Sequence, residues 1–470
     1  MSFYWLYEFS KVLEFSNFQR ALIVTIALLL TCFYLVLFWA VPLIIFGGNL
    51  ARNAKSVITL SCILVLGEWL QGLVYPLAFP WARFANIVAV ANGGFIQTAS
   101  IFGSLFISFL VLLINGFMML TVFNAIGRKF SFKNKYFKIV LLIIIADFVL
   151  GFMSAVYLSS NSKSESQANI LMVQGNYPGL VRWNSEEEMF DTYVQLIEEN
   201  ITEKTDLVLT PEIAIPFDFY EDNKKREKLL DICKDYNVIL VLGIWTSDET
   251  IDGDYNSVLC LYPDGSYSDV YSKKRLVPFA ERIMLKNVID KIFPSLLNNY
   301  TVVEGEKNTI FDTQWNSEIV SSVGSTPVTV NRKMGAIICY ESIFPEVVRE
   351  TVNNGAEFIA FVTDDSWFGT TAALRQHTTH SMLRAVENNV LWLQCSNTGY
   401  TCIIDSRGNI LKDIALAERE TLSMAVTIDV PYNQQNKKTL YNFWGDVPIV
   451  IFLVSFLVFS KFAQIKTEFD

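Results

Sequence analysis

No Asp, Glu, Lys or Arg occurs between Arg20 and Arg52, nor between Arg83 and Arg128. In hydrocarbon the backbone must satisfy its own hydrogen bonds, which a helix of roughly 20 apolar residues does. Each run therefore predicts a membrane span. Two further stretches carry one charge apiece: residues 57–75 hold Glu68, and residues 139–158 hold Asp147. A last run, 447–460, is charge-free but short unless residues 441–445 extend it. The reading is about five spans. The first run is too long for a secretory signal core and lacks a small-residue cleavage site, so it is read as a permanent span.

Lys and Arg in short loops set orientation. Arg52 and Lys55 follow the first span, and Arg128, Lys129, Lys133, Lys135 and Lys138 cluster between the third and fourth. Both loops are expected in the cytoplasm, which places the long segment after the fourth span outside it and returns Lys461 and Lys466 inside. The expected organisation is a transmembrane helical domain over 1–158, a polar linker over 159–168, an extracytoplasmic catalytic domain over 169–430, and a C-terminal linker with the final span over 431–470.

Within that domain short apolar runs at 170–174, 207–210, 238–243, 257–261, 335–339, 358–362, 391–394 and 425–430 predict strands. Amphipathic stretches at 186–199, 224–235, 344–353 and 373–388 predict helices. The alternation reads as an α/β layered fold with buried strands. Polar residues gather where strands end: Pro211-Glu212, Cys339-Tyr340-Glu341 and Asp364-Asp365. Such endings are common sites for chemistry, although an acidic residue there is also a frequent turn or helix cap.

Cys339 read alone is a small buried thiol, one of 7 cysteines, of which Cys32 and Cys62 fall in apolar runs. Cys233, Cys260, Cys395 and Cys402 complete the set without CxxC spacing, and the odd number in the domain leaves at least one outside any internal disulfide. Only two histidines, His377 and His380, are present. They exclude a His-rich metal site and are read as packing or hydrogen-bonding residues. Thioester chemistry needs a base and a cation beside the thiol; with histidine scarce, a carboxylate and a lysine are the available partners. The net charge of −10 argues against a nucleic-acid partner.

Three strings carry a resemblance: Leu207-Val208-Leu209-Thr210-Pro211-Glu212, Tyr271-Ser272-Lys273-Lys274-Arg275-Leu276-Val277-Pro278-Phe279-Ala280-Glu281, and Ile338-Cys339-Tyr340-Glu341. In order and spacing they resemble the catalytic motifs of the nitrilase, or carbon-nitrogen hydrolase, superfamily. With the spans, Val173-Gln174-Gly175-Asn176, Asp365-Ser366-Trp367-Phe368-Gly369, Gln376-His377, Ser396-Asn397-Thr398-Gly399, Glu68-Trp69-Leu70-Gln71-Gly72 and Phe79-Pro80-Trp81, the chain resembles its bacterial apolipoprotein N-acyltransferase family.

The resemblance implies an α-β-β-α sandwich joined to a multi-span membrane domain in the bacterial inner membrane. It implies Glu212 as general base, Lys273 as oxyanion stabiliser and Cys339 as the thioester-forming nucleophile. Glu281 and Glu341 match further active-site carboxylates, and Trp183 and Tyr340 match positions near substrate. Also implied are a phospholipid acyl donor, a diacylglyceryl lipoprotein acceptor, and no metal or organic cofactor. Phe79, Pro80, Trp81 and Phe84 are expected to line the approach of lipid tails.

Departures are Ala280 for glycine, Arg282 for an aromatic residue, and Thr363-Asp364-Asp365 for Ser-Asn-Asp. Trp5-Leu6-Tyr7 corresponds to a region after two spans usual in the family, which gives the expectation of a shortened start. The rival readings are a membrane-tethered amidase or nitrilase acting on a small C–N substrate, and a non-catalytic membrane receptor or scaffold. Asp147 is open between a functional role and a polar partner such as Glu68.

Overall fold

The computed structural model describes residues 5–12, 16–48, 50, 52–91, 93–126, 134–159, 164–177, 185–247, 253–282, 302–321, 324–414, 420–430 and 438–469. Trp183, the loop cations Arg128, Lys129 and Lys133, and residues 431–437 lie outside them.

Four helices are long and apolar enough to cross a membrane: Asn17–Phe46, Ala54–Gln71, Ser104–Ala125 and Lys135–Ser159. A fifth, Val447–Phe469, holds a shorter apolar stretch, Val447–Ala463. Their outward sides expose Leu29, Phe33, Ile44, Leu142, Phe152 and Phe459, side chains whose natural solvent is lipid. Where the helices meet, small residues set the spacing. A Cβ on Gly67 would lie 2.0 Å from Cδ1 of Trp39, whose indole N–H donates to the Leu64 carbonyl at 3.0 Å; close approach of this kind is what glycine permits between membrane helices.

The strands are β1 Ser164–Gln174, β2 Leu207–Leu209, β3 Ile215–Asp218, β4 Ile239–Ser247, β5 Asp254–Leu261, β6 Tyr271–Ser272, β7 Ile310–Ser321, β8 Gly324–Ile338, β9 Phe358–Thr363, β10 Leu391–Ser396, β11 Cys402–Ile404, β12 Ile410–Asp413 and β13 Glu420–Val430. One sheet runs β13-β1-β2-β4-β5-β6, with β3 also on β4; the other runs β12-β11-β10-β9-β8-β7. Each has a parallel centre, β1-β2-β4 and β8-β9-β10.

Both faces of these central strands are buried, so they read as continuous apolar runs rather than alternating ones. Ile170 and Met172 of β1, with Leu207, Leu209 and Val241, meet Ala336, Ala360 and Val362 of the other sheet. The alternate residues Leu171, Val173, Val208 and Leu240 pack under Tyr193, Ile197 and Leu229 of helices Glu186–Asn200 and Asn223–Tyr236. On the far side Ile337, Ile359 and Phe361 meet Val348 and Leu383 of helices Pro345–Asn353 and Ala373–Asn388. The result is the four-layer α-β-β-α sandwich expected from the sequence. Its second helical layer shares a core with Ala78, Trp81, Ala85 and Ala89, which belong to the segment between the second and third spans.

Three expectations change. The polar linker is strand from Ser164, paired with β13 down to Ser164↔Val430; its charged side chains suit an edge-to-edge ribbon as well as a loop. The hairpin β7–β8 is far longer than the strand at 335–339, because its outer half carries polar residues with no apolar run to mark it. Asp147 accepts from Thr98 Oγ1 at 2.6 Å, so its partner is that hydroxyl rather than Glu68, which instead accepts from the Phe84 N–H at 2.7 Å.

Replacing Gly67 by Leu forces Trp39 and the first two spans apart. Overpacking of this kind costs about 1–3 kcal/mol. The detergent-solubilised Gly67→Leu protein is expected to lose its helical circular dichroism at a lower temperature than the native chain; an unchanged midpoint would mean the two helices do not rely on this contact.

Candidate active site

Parallel strands deliver their carboxyl ends to one side of the sandwich. Glu212 follows β2, Cys339 follows β8, Asp364 and Asp365 follow β9, Asn397 follows β10, and Lys273 follows the short β6. The turn after β2 fits closely against β4: a Cβ on Gly243 would lie 2.1 Å from the Pro211 carbonyl oxygen. Ile213, Phe279 and Cys339 have φ of 50°, 64° and 48°, left-handed backbone that costs a side-chain-bearing residue about 1–3 kcal/mol. All three flank the site, and the strain turns each chain sharply at a functional side chain.

Lys273 is the centre of the charge arrangement. Its ammonium is 1% exposed and donates to Glu212 Oε1 at 3.0 Å and to Glu281 Oε1 at 2.7 Å. Burial acts to lower the lysine pKa, but Glu212 and then Glu281 outweigh it and hold the group well above the usual lysine range. Glu212 Oε1 also accepts from Asn256 Nδ2 at 2.7 Å, and its Oε2 accepts from the Asp364 N–H at 2.8 Å. A carboxylate so supplied with donors is fixed in direction. Glu281 Oε2 accepts from the Val277 N–H at 2.9 Å, which closes its loop on itself.

Cys339 is half-buried, whereas Cys233, Cys260, Cys395 and Cys402 are fully buried. Burial pushes the Cys339 thiol well above the ordinary cysteine range; Glu212 raises it further, Lys273 pulls it down, and Asp365 adds to the rise. The resting group is a thiol, and Glu212 is the base placed to take its proton as the sulfur attacks. Cys395 has a different role: its thiol points at the Val173 and Leu209 carbonyls, 3.4 and 3.3 Å away, between the two sheets.

Glu341 sits behind the reacting groups rather than among them. It accepts from Tyr271 Oη at 2.9 Å, the Lys274 N–H at 2.6 Å, the Arg275 N–H at 3.3 Å and the Ile338 N–H at 2.8 Å. One buried carboxylate thus ties the strand end bearing Lys273 to the strand end bearing Cys339. Burial raises its pKa, opposed by those same bonds. Tyr340 donates to the Ala78 carbonyl at 2.6 Å and stacks on Phe79, ring centres 6.3 Å apart. Its place is against the loop between the second and third spans.

Trp81 is 2% exposed, packed over His377 and His380 and donating to Gln376 Oε1 at 3.0 Å. It is a docking residue, which corrects the expectation that it lines a lipid path. Sequence reading missed Asn256, whose one signal was a polar residue in a strand otherwise ending in an apolar run. Arg384 and Glu387, read as a structural pair, form one at 2.7 Å, both fully buried.

Set beside known proteins, the chain matches the profile described as "Carbon-nitrogen hydrolase" over residues 169–435, more than half of its length. That of the "Apolipoprotein N-acyltransferase N-terminal domain" matches residues 1–117. An apolipoprotein N-acyltransferase of Rickettsia prowazekii is 28% identical over 408 residues, covering 81% of this chain and 75% of that one. Apolipoprotein N-acyltransferase 2 of Treponema denticola is 29% identical over 427 residues, covering 86% and 76%. Among solved structures, a Saccharomyces cerevisiae member of branch 10 of the nitrilase superfamily aligns with a TM-score of 0.39 at 20% identity, over 60% of this chain and 95% of that one.

Glu212→Gln removes the carboxylate that raises the thiol while leaving Lys273 in place. The pH midpoint for alkylation of Cys339 by iodoacetamide, followed by peptide mass, is expected to fall. A midpoint that stays or rises would show that Glu212 does not act on the sulfur.

Proposed function

This chain belongs to the carbon-nitrogen hydrolase family, in its apolipoprotein N-acyltransferase branch, and on that premise we propose that Cys339 carries an acyl group from a phospholipid to the N-terminal amine of a diacylglyceryl-cysteine lipoprotein. The protein is a bacterial membrane protein, and the reaction is the N-acylation step of lipoprotein maturation. The observation that carries the reading is the docking of the nucleophile's own turn, through Tyr340 Oη at 2.6 Å from the Ala78 carbonyl, onto a loop between two membrane-capable helices.

In the first half, the Cys339 sulfur attacks the ester carbonyl as Glu212 takes the thiol proton. Lys273 stabilises the resulting oxyanion. The C–O bond breaks, Glu212 returns its proton to the departing lysophospholipid alkoxide, and a thioester remains. In the second half the lipoprotein amine attacks that thioester, Glu212 takes the amine proton, and the C–S bond breaks to leave an amide and the free thiol. Preorganised charge is the main source of rate in such a site, and here it is in place before substrate arrives.

Membrane attachment suits both substrates. Drawing an acyl chain into water costs about 0.8 kcal/mol per CH₂, which a site held at the bilayer surface avoids. Phe279 on the Glu281 loop is 61% exposed, and Leu73 and Val74 after the second span are 54% and 44% exposed. Tyr75, Arg282 and Glu304 tie those two loops together. These apolar side chains, with Phe79, are the ones placed to meet lipid tails. The Lys and Arg bias of the short loops supports an extracytoplasmic position for the catalytic domain.

Incubation of the native protein with phosphatidylethanolamine in mixed micelles is expected to add one acyl mass to Cys339. Cys339→Ala should lose the adduct and all transfer while keeping the native thermal midpoint, whereas Cys395→Ala keeps both adduct and transfer. Release of free fatty acid without amide formation on a diacylglyceryl peptide would favour the amidase reading, and no adduct on any cysteine would favour the scaffold reading.

A further inference from the structure

The groups around Glu212 and Lys273 leave a second set of buried polar residues beside Cys339 without a task. Thr363 is the last residue of β9; its hydroxyl donates to Asp365 Oδ1 at 2.9 Å and hydrogen-bonds to the Cys339 side chain. The same Asp365 oxygen lies 2.8 Å from His377 Nδ1. With Nδ1–H donated to that carboxylate, the other ring nitrogen turns back toward the nucleophile. Nε2 lies 2.9 Å from Ser342 Oγ and 3.2 Å from the Cys339 carbonyl oxygen. The chain therefore starts at the sulfur of Cys339 and returns to its main chain. Thr363 and Asp365 are fully buried and His377 is 1% exposed.

Two neighbours keep this arrangement fixed. Trp81 lies with its ring centre 5.5 Å from that of His377, and Phe361 lies edge-on to the imidazole at 5.3 Å. On the other side Gly399 leaves room for Asp365: a Cβ there would fall 2.8 Å from Oδ2. The main chain of Cys339, at φ 48°, is strained and needs such support.

We propose that Thr363, Asp365 and His377 are positioning residues for Cys339, holding its sulfur and its carbonyl from one hydrogen-bonded chain that Trp81 of the membrane loop seats. It rests on the acyl-transfer reading above. The role is to aim the sulfur and keep its turn closed; the proton goes to Glu212. It also gives the loop between the second and third spans a direct hold on the nucleophile, since Trp81 presses on the imidazole that holds the Cys339 carbonyl.

The test separates aim from folding. Thr363→Val removes the hydroxyl at nearly constant volume, and Thr363→Ser keeps it. Misplacement by about 1 Å costs on the order of 10²-fold in rate. Single-turnover acylation of Cys339 by phosphatidylethanolamine in mixed micelles is expected to fall by about that factor in Thr363→Val and in His377→Asn, with the donor concentration for half-maximal rate unchanged. Thr363→Ser should restore it. A second readout needs no phospholipid: the pH midpoint of iodoacetamide alkylation should rise in Thr363→Val, which loses a donor to the thiolate, and fall in Asp365→Asn, which loses a nearby negative charge. Equal acylation by the Val and Ser variants, or midpoints that stay put in both, would overturn the proposal. If the native protein gains no acyl adduct while the midpoints still move in opposite directions, the acyl-transfer reading fails and the positioning role stands.

Discussion

A single buried ammonium between two carboxylates organises this protein. Lys273 has its carboxylates on opposite flanks in sequence: Glu212 comes from the end of β2, and Glu281 from the loop after Lys273 itself. A lysine 1% exposed would ordinarily lose its proton to escape desolvation, and Glu212 and Glu281 prevent it. The reverse also holds. Removing the cation would strand two carboxylates in a site largely closed to water, where breaking a buried pair costs about 3–5 kcal/mol. The turns that present these groups, at Ile213 and Phe279, are strained, and the charge cluster contributes to keeping them so. Glu341 has the corresponding role in the layer behind, with four donors from two strand ends converging on its carboxyl group.

The membrane helices and the sandwich form one structure rather than a tethered pair. Ser104, at the start of the third span, donates its N–H to Glu387 at 2.7 Å and accepts at its hydroxyl from both Arg83 and Arg384. Arg384 and Glu387 belong to the same helix as His377. That helix is therefore anchored at one end by the membrane segment and at the other by Trp81. Short helix Leu440–Trp444 adds a further tie, with the Asn442 amide on Asn388 at 2.7 Å and Phe443 and Trp444 left exposed before the last apolar helix. Aromatic side chains in that position match the preference of Trp and Phe for the boundary between headgroups and hydrocarbon.

Much of this was legible in the sequence because two signals are local. A charge-free run of membrane length needs no partner to be read, and a strand buried on both faces is a short block of Val, Ile, Leu and Ala. Both located the spans and the central strands to within a few residues. Glu212, Lys273 and Cys339 were legible by order and motif, and the structure brings them together. What the sequence did not disclose depends on distance. Glu341 looked like a third reacting carboxylate because it stands two residues from Cys339, yet its side chain turns toward the backbone of residues 274 and 275. Trp81 looked like a lipid-facing aromatic because its neighbours are apolar; its burial arises from a helix almost 300 residues further on. Asp147 found Thr98 because the segment between the second and third spans folds back as short helices, which no periodicity announced. Asn256 had no pattern at all, only its place opposite Lys273 in the sheet.

The pairing of β1 with β13 has a consequence for how the chain is made. These strands lead out of the fourth span and into the last helix, and they are matched residue for residue from Ser164↔Val430 to Gln174↔Glu420. Until β13 has been synthesised, β1 has one side unpaired, a sheet edge open to any other extended chain. At about 5–20 residues per second, the ribosome leaves that edge uncovered while the rest of the sandwich is translated. Closure of the sheet and completion of the chain thus nearly coincide. A ribosome that stops short of β13 would release a protein bearing all its reacting groups and an open edge, a ready substrate for proteolytic quality control rather than a partial enzyme.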